Sequence, residues 1–168
     1  VNRPRWLFVS THYANQGDTP LAVTGWTSQR YLLDALPDKQ EPAFWSYQGA
    51  SYEKRPDWVL PLPRRFVQQN FLGMNDSDYG GGTPVVDVWR RDVGLAIGHL
   101  ELLPKLVSLP VRRRDDGRAE LGLGARVART LAPGEQLDTL RGFADVTRDV
   151  EWPDLPWGPA VGTIVGAE

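Results

Sequence analysis

Short strand-like runs recur about every ten residues, helical periodicity is scarce, and glycine and proline punctuate the gaps. Together these predict an all-β fold, a two-sheet β-sandwich with at most one short helix. The 17 glycines and 14 prolines are spread along all 168 residues rather than gathered in a low-complexity tail.

The predicted strands are Arg5–Ser10, Leu21–Trp26, Ala43–Tyr47, Phe66–Leu72, Pro84–Trp89, Gly94–Leu102, Lys105–Arg113, Ala119–Arg129 and Gln136–Thr147. Ser28 to Leu36 has two readings. Ser28 can cap a short helix with Tyr31, Leu32 and Ala35 on one face, or the stretch can be strand and turn. The clearest local unit is a hairpin. Val107, Leu109 and Val111 alternate with Leu106, Ser108 and Pro110, and Asp116-Gly117 supplies the turn. Leu121, Leu123, Ala125 and Val127 then alternate back. A second turn is expected at Leu131-Ala132-Pro133-Gly134-Glu135, where proline and glycine are adjacent.

Residues 1–149 therefore read as the sandwich. Residues 150–168 change character, with Trp152-Pro153, Leu155-Pro156-Trp157 and Gly158-Pro159. Prolines lack the amide donor a ladder needs, so this end reads as an arm or linker. Val1 in place of methionine is expected of a trimmed chain or an internal fragment, and a removed signal sequence stays open as well.

Composition narrows the function. A net charge of −2 gives no reason to expect nucleic acid or an anionic membrane. Arg112-Arg113-Arg114 is followed at once by Asp115-Asp116, which reads as a solvated hairpin end. No apolar run reaches the roughly 20 residues of a membrane span, and no signal peptide opens the chain. The compartment stays open, with the cytoplasm favoured. Without cysteine there is no disulfide, thiolate nucleophile or cysteine-ligated metal. His12 and His99 belong to no ligand-spaced motif, so no metal or other cofactor is expected. Alternation puts His99 on the face of Leu95, Ile97 and Glu101, as a partly buried histidine bonded to Glu101 or a backbone carbonyl.

The most informative run is Asn70 to Pro84, which sets Asn75, Asp76, Asp78 and Tyr79 before three consecutive glycines. Trp89 follows and Trp58 precedes. Two readings stand side by side. In one, Asn75, Asp76, Ser77 and Asp78 are turn residues bonding their own backbone, with the glycines supplying positive φ. In the other, Asp76 or Asp78 accepts hydrogen bonds from paired sugar hydroxyls while Tyr79, Trp89 or Trp58 stacks on a sugar ring. The glycines are not a phosphate loop, since no lysine and no helix follow. No nucleophile elbow exists. Two loop aspartates alone are weak evidence for the carboxylate pair of glycoside hydrolysis, so no catalytic residue is assigned.

At these segments the sequence resembles a known family. Phe44-Trp45-Ser46-Tyr47-Gln48-Gly49-Ala50-Ser51, Asn70 to Pro84 and Asp87-Val88-Trp89 are similar to the N-terminal β-domain of α-galactosidase-like glycoside hydrolases, family 36 and its relatives. Gly98-His99-Leu100-Glu101, Ser108-Leu109-Pro110-Val111 and Leu131 to Glu135 follow in the same order, so the likeness spans roughly Phe44 to Val146. It implies a galactose-mutarotase-like supersandwich standing before a (β/α)₈ barrel that carries the catalytic aspartates. Such a barrel needs about 250 residues of its own and does not fit in this chain. The resemblance thus implies a non-catalytic domain of a larger hydrolase, partnered by a galactoside or other carbohydrate and by a catalytic barrel of the same polypeptide. In relatives the β-domain packs beside the barrel and can lend a loop to the sugar pocket, sometimes across a subunit interface. Only Asn75–Gly82 and Trp89 match well enough to inherit that role, and the end after Asp149 departs from the family pattern. The alternatives are an autonomous carbohydrate-binding module and a purely structural domain that forms a homo-oligomer.

Overall fold

The computed structural model describes residues 6–36, 41–49, 59–72, 83–103, 105–148 and 164–167. Two antiparallel sheets face each other across one core, and no helix occurs among the described residues. The first sheet has six strands in the order β1 (Trp6–Val9), β14 (Gly142–Arg148), β9 (Val93–His99), β8 (Val85–Arg90), β4 (Trp45–Tyr47) and β5 (Val59–Pro61). The second runs β15 (Ile164–Ala167), β3 (Leu21–Leu33), β12 (Ala119–Leu131), β10 (Val107–Ser108) and β7 (Phe71–Leu72). In the same sheet β11 (Val111–Arg113) pairs both β12 and β6 (Val67–Gln68). A separate ribbon joins β2 (His12–Ala14) to β13 (Gln136–Asp138). The all-β sandwich predicted from the sequence is the fold observed.

The core follows from alternation. Val86 and Val88 of β8, Leu95 and Ile97 of β9, and Leu121 and Leu123 of β12 are fully buried, with Leu33, Phe44, Leu62 and Leu109 among them. Each such side chain contributes about 1.5–3 kcal/mol by leaving water. The hairpin at Asp116-Gly117 forms as predicted: Arg113 pairs with Ala119, and Gly117 takes φ +88°. Gly134 likewise adopts φ +79° in the second turn. That turn is not a hairpin, however, because β13 pairs with β2 and not with β12.

Three expectations need correction. The helix reading of Ser28 to Leu36 fails, since Ser28 to Leu33 lies inside the long strand β3, laddered to β12 from Leu21↔Leu131 to Leu33↔Ala119. Tyr31, Leu32 and Leu33 run in unbroken register opposite Leu121, Glu120 and Ala119 and all three are buried, so the apolar cluster marks a strand end enclosed on both faces. The arginine run is only partly solvated. Arg113 is 6% exposed and reaches inward to Glu41 with two 2.7 Å hydrogen bonds and to the Leu62 carbonyl at 3.1 Å. Finally, Gln136–Thr147 is two strands in two sheets. Its break falls at Thr139, whose amide donates to the Thr11 carbonyl at 2.9 Å.

At the C-terminal end, residues 164–167 add β15 to the edge of β3, with Ile164 opposite Leu33 and Ala167 opposite Tyr31.

Candidate functional site

Tyr47, Val59 and Thr83, which border the segments holding Trp58 and the predicted loop, meet at one corner of the sandwich. Residues 50–58 are bracketed by β4 and β5, whose ends pair Tyr47 with Val59. Residues 73–82 are bracketed by Leu72 and Thr83. The two brackets are tied to each other, because the Thr83 amide donates to the Gly49 carbonyl at 2.7 Å. The Tyr47 hydroxyl also meets Thr83 Oγ1 at 3.1 Å.

Beneath this corner lies a buried chain of polar side chains. Asn70 sits between β6 and β7 with φ +49°, a left-handed conformation that asparagine tolerates better than most residues. Its Nδ2 donates to Gln48 Oε1 at 2.5 Å and to the Leu109 carbonyl at 3.0 Å, and its Oδ1 accepts from Gln68 Nε2 at 2.9 Å. Gln48 donates in turn to Ser46 Oγ, and Ser46 Oγ donates to the Asp87 carbonyl at 2.7 Å. Gln48 and Ser46 are fully buried, so each of these bonds replaces water that cannot enter. Through them the corner is held to both sheets.

The same corner borders the outer face of the first sheet, where register gathers aromatic rings and carboxylates. Asp87, Ala96 and Asp145 stand side by side on β8, β9 and β14, flanked by Tyr47 on β4 and Trp6 on β1. One step along, Trp45 pairs with Trp89 and Trp89 with Gly94. On the other side Phe143 pairs with Gly98 and with Phe8. The Trp6 and Phe143 rings lie 5.4 Å apart between centroids. Gly94, Ala96 and Gly98 keep β9 low between the rings. Gly98 is required sterically, since a Cβ there meets the Pro84 carbonyl oxygen and the Phe143 ring.

Asp87 is the most perturbed group on this face. Its Oδ1 has no solvent contact and no hydrogen-bond partner among the described residues. Burial pushes its pKa up to about 7, the negative charge of Asp145 adds to the rise, and a hydrogen bond from the Val88 amide opposes it. Asp145 is itself raised by burial. A carboxyl that stays protonated near neutral pH donates as well as accepts a hydrogen bond, which suits it to a hydroxyl-rich ligand or to a buried interface.

Of the residues singled out from sequence, Trp89 lies on this face and is 8% exposed. Trp58, Asn75, Asp76, Asp78 and Tyr79 lie outside the described residues. His99 is buried, and its Nδ1 accepts from the Glu101 amide at 3.3 Å. Burial holds its pKa down. His12 pairs with Asp138 at 2.6 Å on the exposed ribbon, away from this corner. Among the described residues no three His, Cys, Asp or Glu side chains gather to hold a metal. Sequence reasoning missed Asp87 and Asp145 as a pair. The strand period places Asp87 on the Trp89 face, but only long-range pairing through β9 brings Asp145 beside it.

Comparison with known proteins supports the fold. No family model matches the chain and no curated protein matches it. Solved structures do. An α-galactosidase from Lactobacillus brevis superposes with a TM-score of 0.60 at 12% identity, over 85% of this chain and 19% of that one. A GH36 α-galactosidase from Geobacillus stearothermophilus, solved with raffinose, gives 0.60 at 16% identity over 85% and 20%. The galactosidase domain of an α-galactosidase–sucrose kinase gives 0.54 at 12% identity over 85% and 20%. The chain thus spans about a fifth of the length of the solved structures it matches. Its fold is that of a β-sandwich portion of GH36 α-galactosidases.

Proposed function

We propose that the chain is the non-catalytic N-terminal domain of an α-galactosidase-like glycoside hydrolase. In this reading it packs against a catalytic (β/α)₈ barrel of the same polypeptide and helps shape the sugar pocket. The observation that carries it is the fold match, which takes in 85% of this chain but only about a fifth of each α-galactosidase. The rest of such an enzyme has ample length for a barrel of about 250 residues.

The loop at 73–82 is the segment assigned to the pocket, with Asn75, Asp76, Asp78 and Tyr79 contacting sugar and Trp89 and Trp58 supporting them. The tied corner at Gly49 and Thr83 gives this loop a firm base, as a residue reaching into a neighbouring pocket needs. The chain alone should not hydrolyse an aryl α-galactoside. Measurable hydrolysis that disappears in Asp78→Ala would sink the proposal.

Packing against a further domain or a second copy is favoured by the edge strand β1. Trp6, Leu7 and Phe8 are 49%, 53% and 65% exposed there, an apolar edge of the kind that marks an interface. Sedimentation of the isolated chain should show self-association that Phe8→Glu weakens. A monomer at all concentrations counts against this packing role.

A further inference from the structure

A second polar concavity lies on the opposite side of the molecule, on the outer face of the β3–β12–β10 sheet. It is a groove of about 920 Å³, within the usual range of ligand sites. Its floor follows from register. Phe71, Ser108, Gly124 and Thr27 stand in one row across β7, β10, β12 and β3. In the next row Gly122 pairs with Arg30, and beyond it Arg112 pairs with Glu120. Gly122 and Gly124 let the strands meet closely, since a Cβ on Gly124 comes 2.7 Å from the Trp26 carbonyl oxygen and one on Gly122 3.1 Å from that of Gln29. The same two glycines leave the centre of the sheet bare. The result is a shelf three strands wide, about 10 Å across, and matched in width to a single chain of sugar rings.

The charge of the groove is lopsided. Glu120, whose side chain is 12% exposed, binds Arg30 at 3.1 Å, Arg112 at 2.8 Å and Arg114 at 3.2 Å. Arg114 also pairs with Asp116 at 3.4 Å and lies outside the groove lining, so within the groove one carboxylate orients two guanidinium groups, those of Arg30 and Arg112, while neutralising one charge. At the far end Arg126 is exposed, pairs with Gly25 in the ladder, and has no ion-pair or hydrogen-bond partner for its side chain among the described residues. An anion lying along the shelf meets oriented donors at one end and an unpaired cation at the other, with Ser108 and Gln69 for hydroxyls and Phe71 for an apolar ring face.

We propose that this groove binds an acidic oligosaccharide, a short chain of sugars carrying carboxylates. An extended acidic peptide fits less well. Peptides bind sheets by adding to an open edge, whereas the floor strand β12 is paired on both sides, by β3 and by β10 and β11. The ligand here is read by side chains alone. This proposal does not depend on the hydrolase reading.

The test is calorimetry of the chain with tetragalacturonate, its uncharged methyl ester, and tetraglutamate, with backbone amide NMR to locate binding. Tetragalacturonate should bind and weaken as salt rises, moving the amides of Gly122 and Gly124. Arg126→Glu should weaken it about tenfold or more while leaving the melting temperature unchanged, because Arg126 holds nothing in place. Ser108→Trp, which blocks the floor, should abolish it. The proposal is overturned if tetragalacturonate fails to bind at millimolar concentration, or if the ester or tetraglutamate binds equally well. Unchanged affinity in Arg126→Glu, or amide shifts that avoid the glycines, overturns it too.

Discussion

Asp87 and Asp145 stand on either side of Ala96, on one face of the six-stranded sheet, with both carboxyls held above their ordinary range by burial. Two acids two strands apart are about 10 Å apart at the backbone. The negative charge of Asp145 adds to the rise at Asp87, whereas Asp145 itself is raised by burial alone.

This pair sets a pH dependence. The ordinary Asp value is 3.8, and Asp87 in the fold is near 7. Below pH 4 both folded and unfolded chains hold the proton, so Asp87 contributes no slope. Between the two values the unfolded chain releases its proton while the folded one keeps it, and stability falls as pH rises. Asp87→Asn removes that loss. Relative to wild type it should gain on the order of 2 kcal/mol between pH 4 and pH 8, read from urea unfolding at each pH. Parallel curves for the two proteins would refute the buried acid.

Glu41 behaves in the opposite sense. Its hydrogen bonds with Arg113 hold it at about 2, against an ordinary 4.5. Its stabilising effect is complete above pH 4.5 and is lost as pH falls towards 2. Because the carboxylate is nearly half-exposed, solvent screening trims the effect, and Glu41→Gln should cost about 1–2 kcal/mol at neutral pH. The gap from wild type should close in acid. A constant gap would mean that the charge is not what matters.

Asn70 combines two demands, a left-handed backbone and three side-chain hydrogen bonds. Asn70→Gly keeps the first and loses the second, while Asn70→Ala loses both. Thermal unfolding should rank wild type above Asn70→Gly and Asn70→Ala last, with a total cost of about 2–4 kcal/mol. Equal loss in the two variants would show that conformation contributes nothing.

Gly117 and Gly98 separate strain from space. A Cβ on Gly117 meets nothing within 4 Å, yet φ is +88°, so Gly117→Ala should cost about 1 kcal/mol through the backbone alone. Gly98 has an ordinary backbone but no room, and Gly98→Ala should cost about 2–3 kcal/mol by forcing the Phe143 ring and β8 apart. Chemical denaturation that places Gly117→Ala as the costlier change would contradict this.

The sandwich was legible in the sequence because its signals are local. Alternation through Val86 and Val88, and the Asp116-Gly117 turn, depend on neighbours a few residues apart. What escaped were features made by distant pairing. Ser28 to Leu33 carries a pattern that suits helix or strand, and the ladder to β12 decides it. Phe66–Leu72 reads as one run, but Asn70 turns the chain so that β6 pairs with β11 and β7 with β10. Of the site, Trp89 and its strand were readable. The partnership of Asp87 with Asp145, some sixty residues later, needed the whole sheet.

The Tyr47–Val59 pairing closes the neck of residues 50–58 before that segment begins, and the hydrogen bond from Thr83 to Gly49 ties the same neck to the chain entering β8. Chain length beyond a closed neck is thermodynamically inexpensive, since doubling a loop costs only about 0.6 kcal/mol in closure entropy. This corner is therefore a socket. Residues 50–58 can be lengthened, shortened or exchanged while Asn70, Gln48 and the core keep their places. One sandwich can in this way carry different insertions at this corner without being redesigned.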